Sequence, residues 1–122
     1  DKDSKAYVCK DLKGRAQALM VLNMSPRDFG FTNYIFMDCL VTHPRNIRSS
    51  LNDDEVGKVK GAGIALSLFA DNLVLQLQKD GIYLSPLRLS KSFFKNRGYV
   101  PKDNGELFKT AQKIEQMQKM VA

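Results

Sequence analysis

Residues 64–77 constrain the fold more than any other stretch of the chain. On a helical wheel Ile64, Leu66, Leu68, Phe69, Leu73, Val74, Leu75 and Leu77 point in nearly every direction. A helix that is apolar on all sides is normally buried on most of them, so this one is expected to form the central core element. Asn52 is a natural N-cap for it, and Asp53, Asp54 and Glu55 follow where they meet the positive end of the helix dipole. The helix is predicted to run to about Lys79, with Gly81 as its stop. Gly57, Gly61 and Gly63 weaken its first turns and read as a kink or a close approach to another backbone.

Two further helices are expected after it. Ser85-Pro86 supplies an N-cap followed by proline at the first helical position, which opens a helix over residues 86–96. Arg88, Lys91, Ser92 and Lys95 share one side of its wheel, and Leu87, Leu89, Phe93 and Phe94 share the other. Asp103 and Glu106 have the spacing of a capping box, which opens a tail helix over residues 104–121. Its apolar face carries Leu107, Phe108, Ala111, Ile114, Met117 and Val121.

The first half of the chain reads differently. Residues 34–41 (YIFMDCLV) are rich in aromatic and β-branched types and suit a strand. Residues 6–12 and 15–22, separated by Lys13-Gly14, read as a hairpin. The rival reading makes Ser25 the cap of a helix over residues 26–42. That helix would project Asp38 from the middle of an apolar surface, which favours the strand. The polar stretch 43–52, with Pro44, divides the two halves. The fold expected is therefore α+β: an N-terminal β-meander packed on three C-terminal helices. The alternative is all-α, with five to six helices. Residues 1–122 are expected to form a single domain, with residues 1–4 as a disordered tail.

Charge is distributed unevenly. The whole chain carries +6, and residues 81–102 hold Arg88, Lys91, Lys95, Arg97 and Lys102 without a single acid. Such a local surplus is expected of a surface that meets a polyanion. Arg45 and Arg48 in the central loop, and Lys10, Lys13 and Arg15 at the first turn, form two weaker basic groups. Tyr83 and Tyr99 flank the basic helix and have the chemistry to stack on exposed bases, although partly buried packing is the favoured reading of both. Phe93 and Phe94 belong to the core.

Catalytic chemistry finds little support in the residues. His43 is the lone histidine and reads as a surface residue. Cys9 and Cys39 are isolated from other ligand types and are expected to be buried free thiols. Helix-start chemistry accounts for Asp53, Asp54 and Glu55 without a metal. Gly61-Ala62-Gly63 lacks the Lys-Ser/Thr or the third glycine of a phosphate-cradling loop. No Ser or Cys sits in a recognisable nucleophile turn. The expectation is a small basic nucleic-acid-binding protein with a regulatory, replicative or packaging role. It is expected to be non-enzymatic, without cofactor or metal, and cytoplasmic, or nuclear in a eukaryotic or viral setting. DNA or RNA would be held through Arg88, Lys91, Lys95, Arg97 and Lys102, helped by Arg45, Arg48 and Tyr99. The alternative is a protein-interaction module that pairs with itself through helices 64–77 and 104–121. No membrane partner is expected, since no apolar run reaches the roughly 20 residues of a span and the N-terminus has no secretory pattern.

Overall fold

A computed structural model describes residues 3–27, 29–42, 61–86 and 90–121. Six strands form one sheet in the order β1-β2-β3-β4-β6-β5. The strands are β1 (Ser4–Lys10), β2 (Ala16–Asn23), β3 (Tyr34–Thr42), β4 (Gly81–Leu84), β5 (Val100–Pro101) and β6 (Leu107–Thr110). Three helices accompany them: α1 (Ala62–Gln76), α2 (Lys91–Asn96) and α3 (Ala111–Val121). A short 3-10 turn, Phe29–Phe31, precedes β3. The architecture is α+β, and the all-α alternative is excluded. The expected meander is present, but the sheet does not stop there. The second half of the chain contributes three more strands.

The meander follows its sequence signals. Asp11 shapes the first turn: its carboxylate accepts the N–H groups of Lys13 and Arg15, each at 2.9 Å, and Arg15 Nε at 2.8 Å. Gly14 supplies the left-handed backbone that the turn requires (φ +79°). In β2, Ala18, Met20 and Leu22 are buried, the period-2 pattern of a strand with one covered face. Along β3, Ile35 and Met37 are buried and Asp38 is exposed.

The second half departs from expectation in four places. The proposed Asn52 cap lies outside the described residues. At the other end α1 stops at Gln76, not Lys79. Gln78 adopts the left-handed conformation there (φ 56°), and the Lys79 N–H reaches the Val74 carbonyl at 2.9 Å. Gly81 is therefore not a helix stop. It lies in β4, where a Cβ would stand 2.5 Å from both the Lys109 carbonyl oxygen and the Tyr34 ring. Residues 81–84, expected only to link two helices, form a fully buried strand. Ser85 and Pro86 are themselves not helical, residues 87–89 of the expected helix lie outside the described residues, and α2 is described from Lys91. Lastly, Asp103 opens no helix. Residues 103–105 turn between β5 and β6, and α3 begins at Ala111, where Thr110 Oγ1 accepts the Lys113 N–H at 3.1 Å.

The core lies between α1 and one face of the sheet. Leu66, Ala70 and Val74 of α1 cluster with Met20, Leu22, Ile35, Met37, Ile82, Leu84, Leu107 and Ile114. Each large side chain buried in this way contributes about 1.5–3 kcal/mol. Helix α1 is less enclosed than expected, since Ile64, Leu68, Phe69 and Leu77 remain exposed. The opposite sheet face carries an aromatic cluster. Tyr83 stacks on Phe31 with ring centroids 4.0 Å apart, and Phe36 and Phe108 border these two rings. No helix among the described residues is long and apolar enough to cross a membrane.

Candidate active site

Two parallel strands that separate give the molecule its most distinctive opening. β3 and β4 are the only parallel neighbours in the described sheet, and α1 lies between them in sequence. Their pairing runs from Tyr34–Gly81 to Met37–Leu84, but β3 continues to Thr42. The sheet therefore forks beyond Met37. A bulge sits at the same point: Leu22 faces Met37 and Val21 faces Cys39, which leaves Asp38 as the extra residue. Bulges turn backbone groups out of the ladder and recur beside functional sites. A crevice at the carboxyl ends of parallel strands is where open α/β sheets take their ligands.

Helix α1 starts beside this fork. Gly61 caps it in a left-handed conformation (φ 87°), and among the described residues no side-chain hydrogen bond caps its start. The backbone N–H groups at such a helix start point outward and attract anions. Gly63 packs beside the end of β3 and α2: a Cβ there would stand at ordinary contact distance, 3.4 Å from Thr42 Cγ2 and 3.5 Å from Phe93 Cζ. The helix start, the end of β3 and α2 thus meet at one corner. In the sequence Lys58 and Lys60 precede Gly61. The earlier reading of Gly61 and Gly63 as a kink gives way to a glycine-capped helix start. The close approach to another backbone expected at these glycines is not found among the described residues: the neighbours of Gly63 are the side chains of Thr42 and Phe93.

A row of polar side chains follows the last paired row across the fork. Met37, Leu84 and Leu107 are neighbours on β3, β4 and β6. One residue further along stand Asp38, Ser85 and Glu106. Ser85 Oγ donates to Glu106 Oε2 at 3.4 Å, and Asn104 Nδ2 donates to Glu106 Oε1. The Lys102 N–H meets the Glu106 carbonyl at 2.8 Å and closes the β5–β6 turn. The row before it holds Phe36, Tyr83 and Phe108, the aromatic floor of the same face.

Beneath the helices lies a second polar group with a different environment. Lys109 on β6 is buried, and its Nζ stands 2.8 Å from Asp71 Oδ2, 2.7 Å from Asp71 Oδ1 and 2.9 Å from the Arg97 carbonyl. Burial pushes the Asp71 carboxyl up and the Lys109 ammonium down, and the attraction between them opposes both shifts. Tyr99 lies against this pair, with Lys109 Nζ 4.5 Å from its ring centre. Burial raises the Tyr99 hydroxyl well above its usual value, and the Asp71 charge adds to that. The pair ties α1, the end of α2 and β6 together.

The described residues among those expected to hold phosphates do not share one side of the sheet. Lys91 and Lys95 are exposed on α2. Arg97 lies over the Phe93 ring at 5.4 Å, on the side of the sheet that α1 covers. Lys102 is on the other side, 4.1 Å from the Phe31 ring centre and 3.0 Å from the Gly30 carbonyl. Tyr99 is 2% exposed and offers no face to a base, and Tyr83 is buried as well. Arg45, Arg48, Arg88 and His43 lie outside the described residues. Cys9 and Cys39 are free and half-buried rather than fully buried. Among the described residues no three His, Cys, Asp or Glu side chains gather as metal ligands would. The sequence reading missed Ser85, taken as a helix cap, and Glu106, taken as part of a capping box. Asp38 was its one signal near the fork, an acid set within an apolar strand.

No protein-family model and no curated protein matches the chain. Solved structures do match. The KacTA–DNA complex superposes with a TM-score of 0.69 at 16% identity, over 98% of this chain and 75% of that one. AtaTR bound with AcCoA gives 0.67 at 21%, over 95% and 73%. AtaT complexed with acetyl-methionyl-tRNAfMet gives 0.65 at 16%, over 95% and 76%. Tetrahymena GCN5 gives 0.62 at 12%, over 88% and 68%. These neighbours are GNAT-fold acetyltransferases, and some of them are recorded with DNA or tRNA as partners. The comparison overturns the expectation of a non-enzymatic, basic nucleic-acid-binding protein. A local charge surplus is compatible with many surfaces. At these identities the likeness establishes that this chain shares the neighbours' fold.

Proposed function

We propose that this chain is an acyltransferase that uses acetyl-CoA or a close relative as donor. The observation that carries the reading is the fork: parallel β3 and β4 part beyond Met37–Leu84, at a bulge, beside a glycine-capped helix start. Each part suits one part of such a donor. The N–H groups of the first turn of α1 would take the pyrophosphate. The edge of β3 over residues 39–42, past its pairing with β4, would take the amide-bearing arm as a strand takes an added strand. Backbone turned outward at the Asp38 bulge would stabilise charge developing on the thioester oxygen. The AcCoA recorded with AtaTR supports the donor class.

Calorimetric titration with acetyl-CoA tests this directly. Saturable binding is expected. Gly63→Leu should weaken it at least tenfold by filling the corner between Thr42 and Phe93. Absence of any binding to the wild-type chain would remove the reading.

The reading extends to partners. A nucleic acid would serve as carrier of the acceptor, as DNA and tRNA accompany the neighbours, with exposed Lys91 and Lys95 meeting its phosphates. Binding should then fall steeply as salt rises. Two copies would pair through residues 64–77 and 111–121, where Ile64, Leu68, Phe69 and Met120 offer exposed apolar surface. Sedimentation at several concentrations tests that pairing.

A further inference from the structure

Three buried polar atoms gather beneath α1, on the closed side of the sheet and away from the fork. We infer that Ser67, Asp71 and Tyr99 form an internal hydration site that holds one water molecule between α1 and the segment joining α2 to β5. The inference goes beyond the acyltransferase reading and does not depend on it.

The atoms themselves carry the argument. Ser67 Oγ, Asp71 Oδ1 and the Tyr99 hydroxyl have no hydrogen-bond partner among the described residues. The three residues are at most 5% exposed, so bulk solvent does not serve them. A buried oxygen left unbonded is costly, and folded proteins rarely leave three of them together.

They are also neighbours. Ser67 and Asp71 lie one turn apart on the buried side of α1, where Cβ atoms four residues apart stand about 5–6 Å from each other. Lys109 links Asp71 to Tyr99: its Nζ is 2.8 Å from Asp71 Oδ2 and 4.5 Å from the Tyr99 ring centre. The ammonium gives a second bond to the Arg97 carbonyl at 2.9 Å. Asp71 Oδ1 is 2.7 Å from the same nitrogen but accepts no hydrogen bond from it, so this oxygen is left for another donor. The packing around the pair fixes the ammonium. A Cβ on Gly98 would stand 2.5 Å from Met117 Sδ and 3.3 Å from Lys109 Cδ, so α3 closes on the Lys109 stem.

The charges select a neutral occupant. Asp71 and Lys109 already neutralise each other. An added anion would face the Asp71 carboxylate, and an added cation would face the Lys109 ammonium, in each case without a free counter-charge. Water both donates and accepts. It donates to Asp71 Oδ1 and accepts from the Ser67 and Tyr99 hydroxyls, which makes the three bonds typical of a buried water. Bridging at about 2.8 Å to each oxygen spans the gap between side chains one helical turn apart. The helix whose start borders the fork is then pinned by a shared water as well as by the ion pair.

A high-resolution crystal structure of the wild-type chain tests the site without any substitution. One ordered water within hydrogen-bond reach of all three oxygens is expected. Density with the short, about 2.3–2.6 Å, distances of a bound cation would overturn the inference. So would a Ser67 hydroxyl turned onto the Gly63 carbonyl with no water beside it. In solution, oxygen-17 relaxation dispersion counts long-lived internal waters. Ser67→Ala combined with Tyr99→Phe removes only the two hydroxyls and should lose one such water relative to wild type; an unchanged count would refute the site. In urea denaturation, each substitution should shift the midpoint less in the presence of the other than alone, since the first already disturbs the shared water. Strictly additive shifts would mean that the two hydroxyls have no common partner, and would overturn the inference as well.

Discussion

The two faces of the sheet do different work. The face under α1 is aliphatic and closed: Met20, Leu22, Ile35, Ile82 and Leu107 are at most 1% exposed, and an ion pair, Asp71–Lys109, is buried beside them. The other face is aromatic near β4 and open at the fork, where Asp38, Ser85 and Glu106 line up. The first face packs against α1 and holds the sheet to it. The second keeps polar groups accessible on a rigid platform. Among the described residues, charge on the closed side is paired, and on the open side it is left exposed at Asp38.

The largest expected effect probes the closed face. Lys109→Ala leaves the Asp71 carboxylate buried without its partner and frees the Arg97 carbonyl. Breaking one half of a buried pair costs about 3–5 kcal/mol, which urea denaturation would detect as an early midpoint. Replacing both members, Asp71→Leu with Lys109→Met, should recover most of that loss, because an apolar pair needs no desolvation. If the double variant is as unstable as the single one, the pair contributes more than mutual neutralisation.

Gly81→Ala comes next and lies at the border between the faces. The new Cβ would meet the Lys109 carbonyl and the Tyr34 ring at 2.5 Å, and the backbone atom cannot move without opening the β4–β6 ladder. Overpacking of this kind costs about 1–3 kcal/mol. The melting temperature should fall, and Gly105→Ala is the control. Gly105 has free space around it and only an unfavourable φ to sustain, so it should lose less.

These two sites also show how far the sequence could be read. The meander was legible because its signals are local. Asp11, Gly14 and the alternation of Ala18, Met20 and Leu22 act over a few residues, and Asp38 was recognised as wrong for a helix. The second half was misread because its strands are short and their setting is remote. Residues 81–84 are all buried, so they carry no alternation, and a four-residue apolar run reads equally as turn or helix edge. Gly81 was taken as a punctuation mark, whereas its cause is the carbonyl of Lys109, 28 residues away. Lys109 falls within the residues read as a tail helix, and nothing nearby in sequence announces that Asp71 will neutralise it. The fork itself comes from register between β3 and β4, which no single segment encodes, so Ser85 and Glu106 could be found only as misassigned caps.

A smaller effect is expected on the open face. Lys102→Met removes a hydrogen bond to Gly30 and the contact with the Phe31 ring, both at an exposed side chain. A cation over a ring at such a site contributes about 0.5–1 kcal/mol, so stability should fall by no more than that. The change would be read more sensitively at the site. If Lys102 holds the β5–β6 turn against the 3-10 turn, its loss should raise KM for the acceptor while acetyl-CoA binding stays the same. A large loss of stability instead would mean that the aromatic face carries as much of the fold as the aliphatic one.

The smallest effect concerns what assigns residues to the two faces. A one-residue slip of β1 against β2 would turn Ala18, Met20 and Leu22 outward, and the Asp11 turn sets that register. Hydrogen bonds from the Arg15 and Lys13 backbones, with the Arg15 guanidinium alongside, hold the Asp11 carboxyl below its ordinary value of 3.8. A carboxyl lowered on folding contributes its stabilisation above the unfolded value, and that contribution is lost as pH falls through the lower folded one. Amide exchange at Lys13 and Arg15 should therefore be slow above pH 4, once the intrinsic pH dependence is removed, and should quicken as pH drops below 3.8. Asp11→Asn should abolish that transition and leave exchange in β3 untouched. Exchange that quickens equally in β3 would show that acid loosens the whole sheet rather than the turn that sets its register.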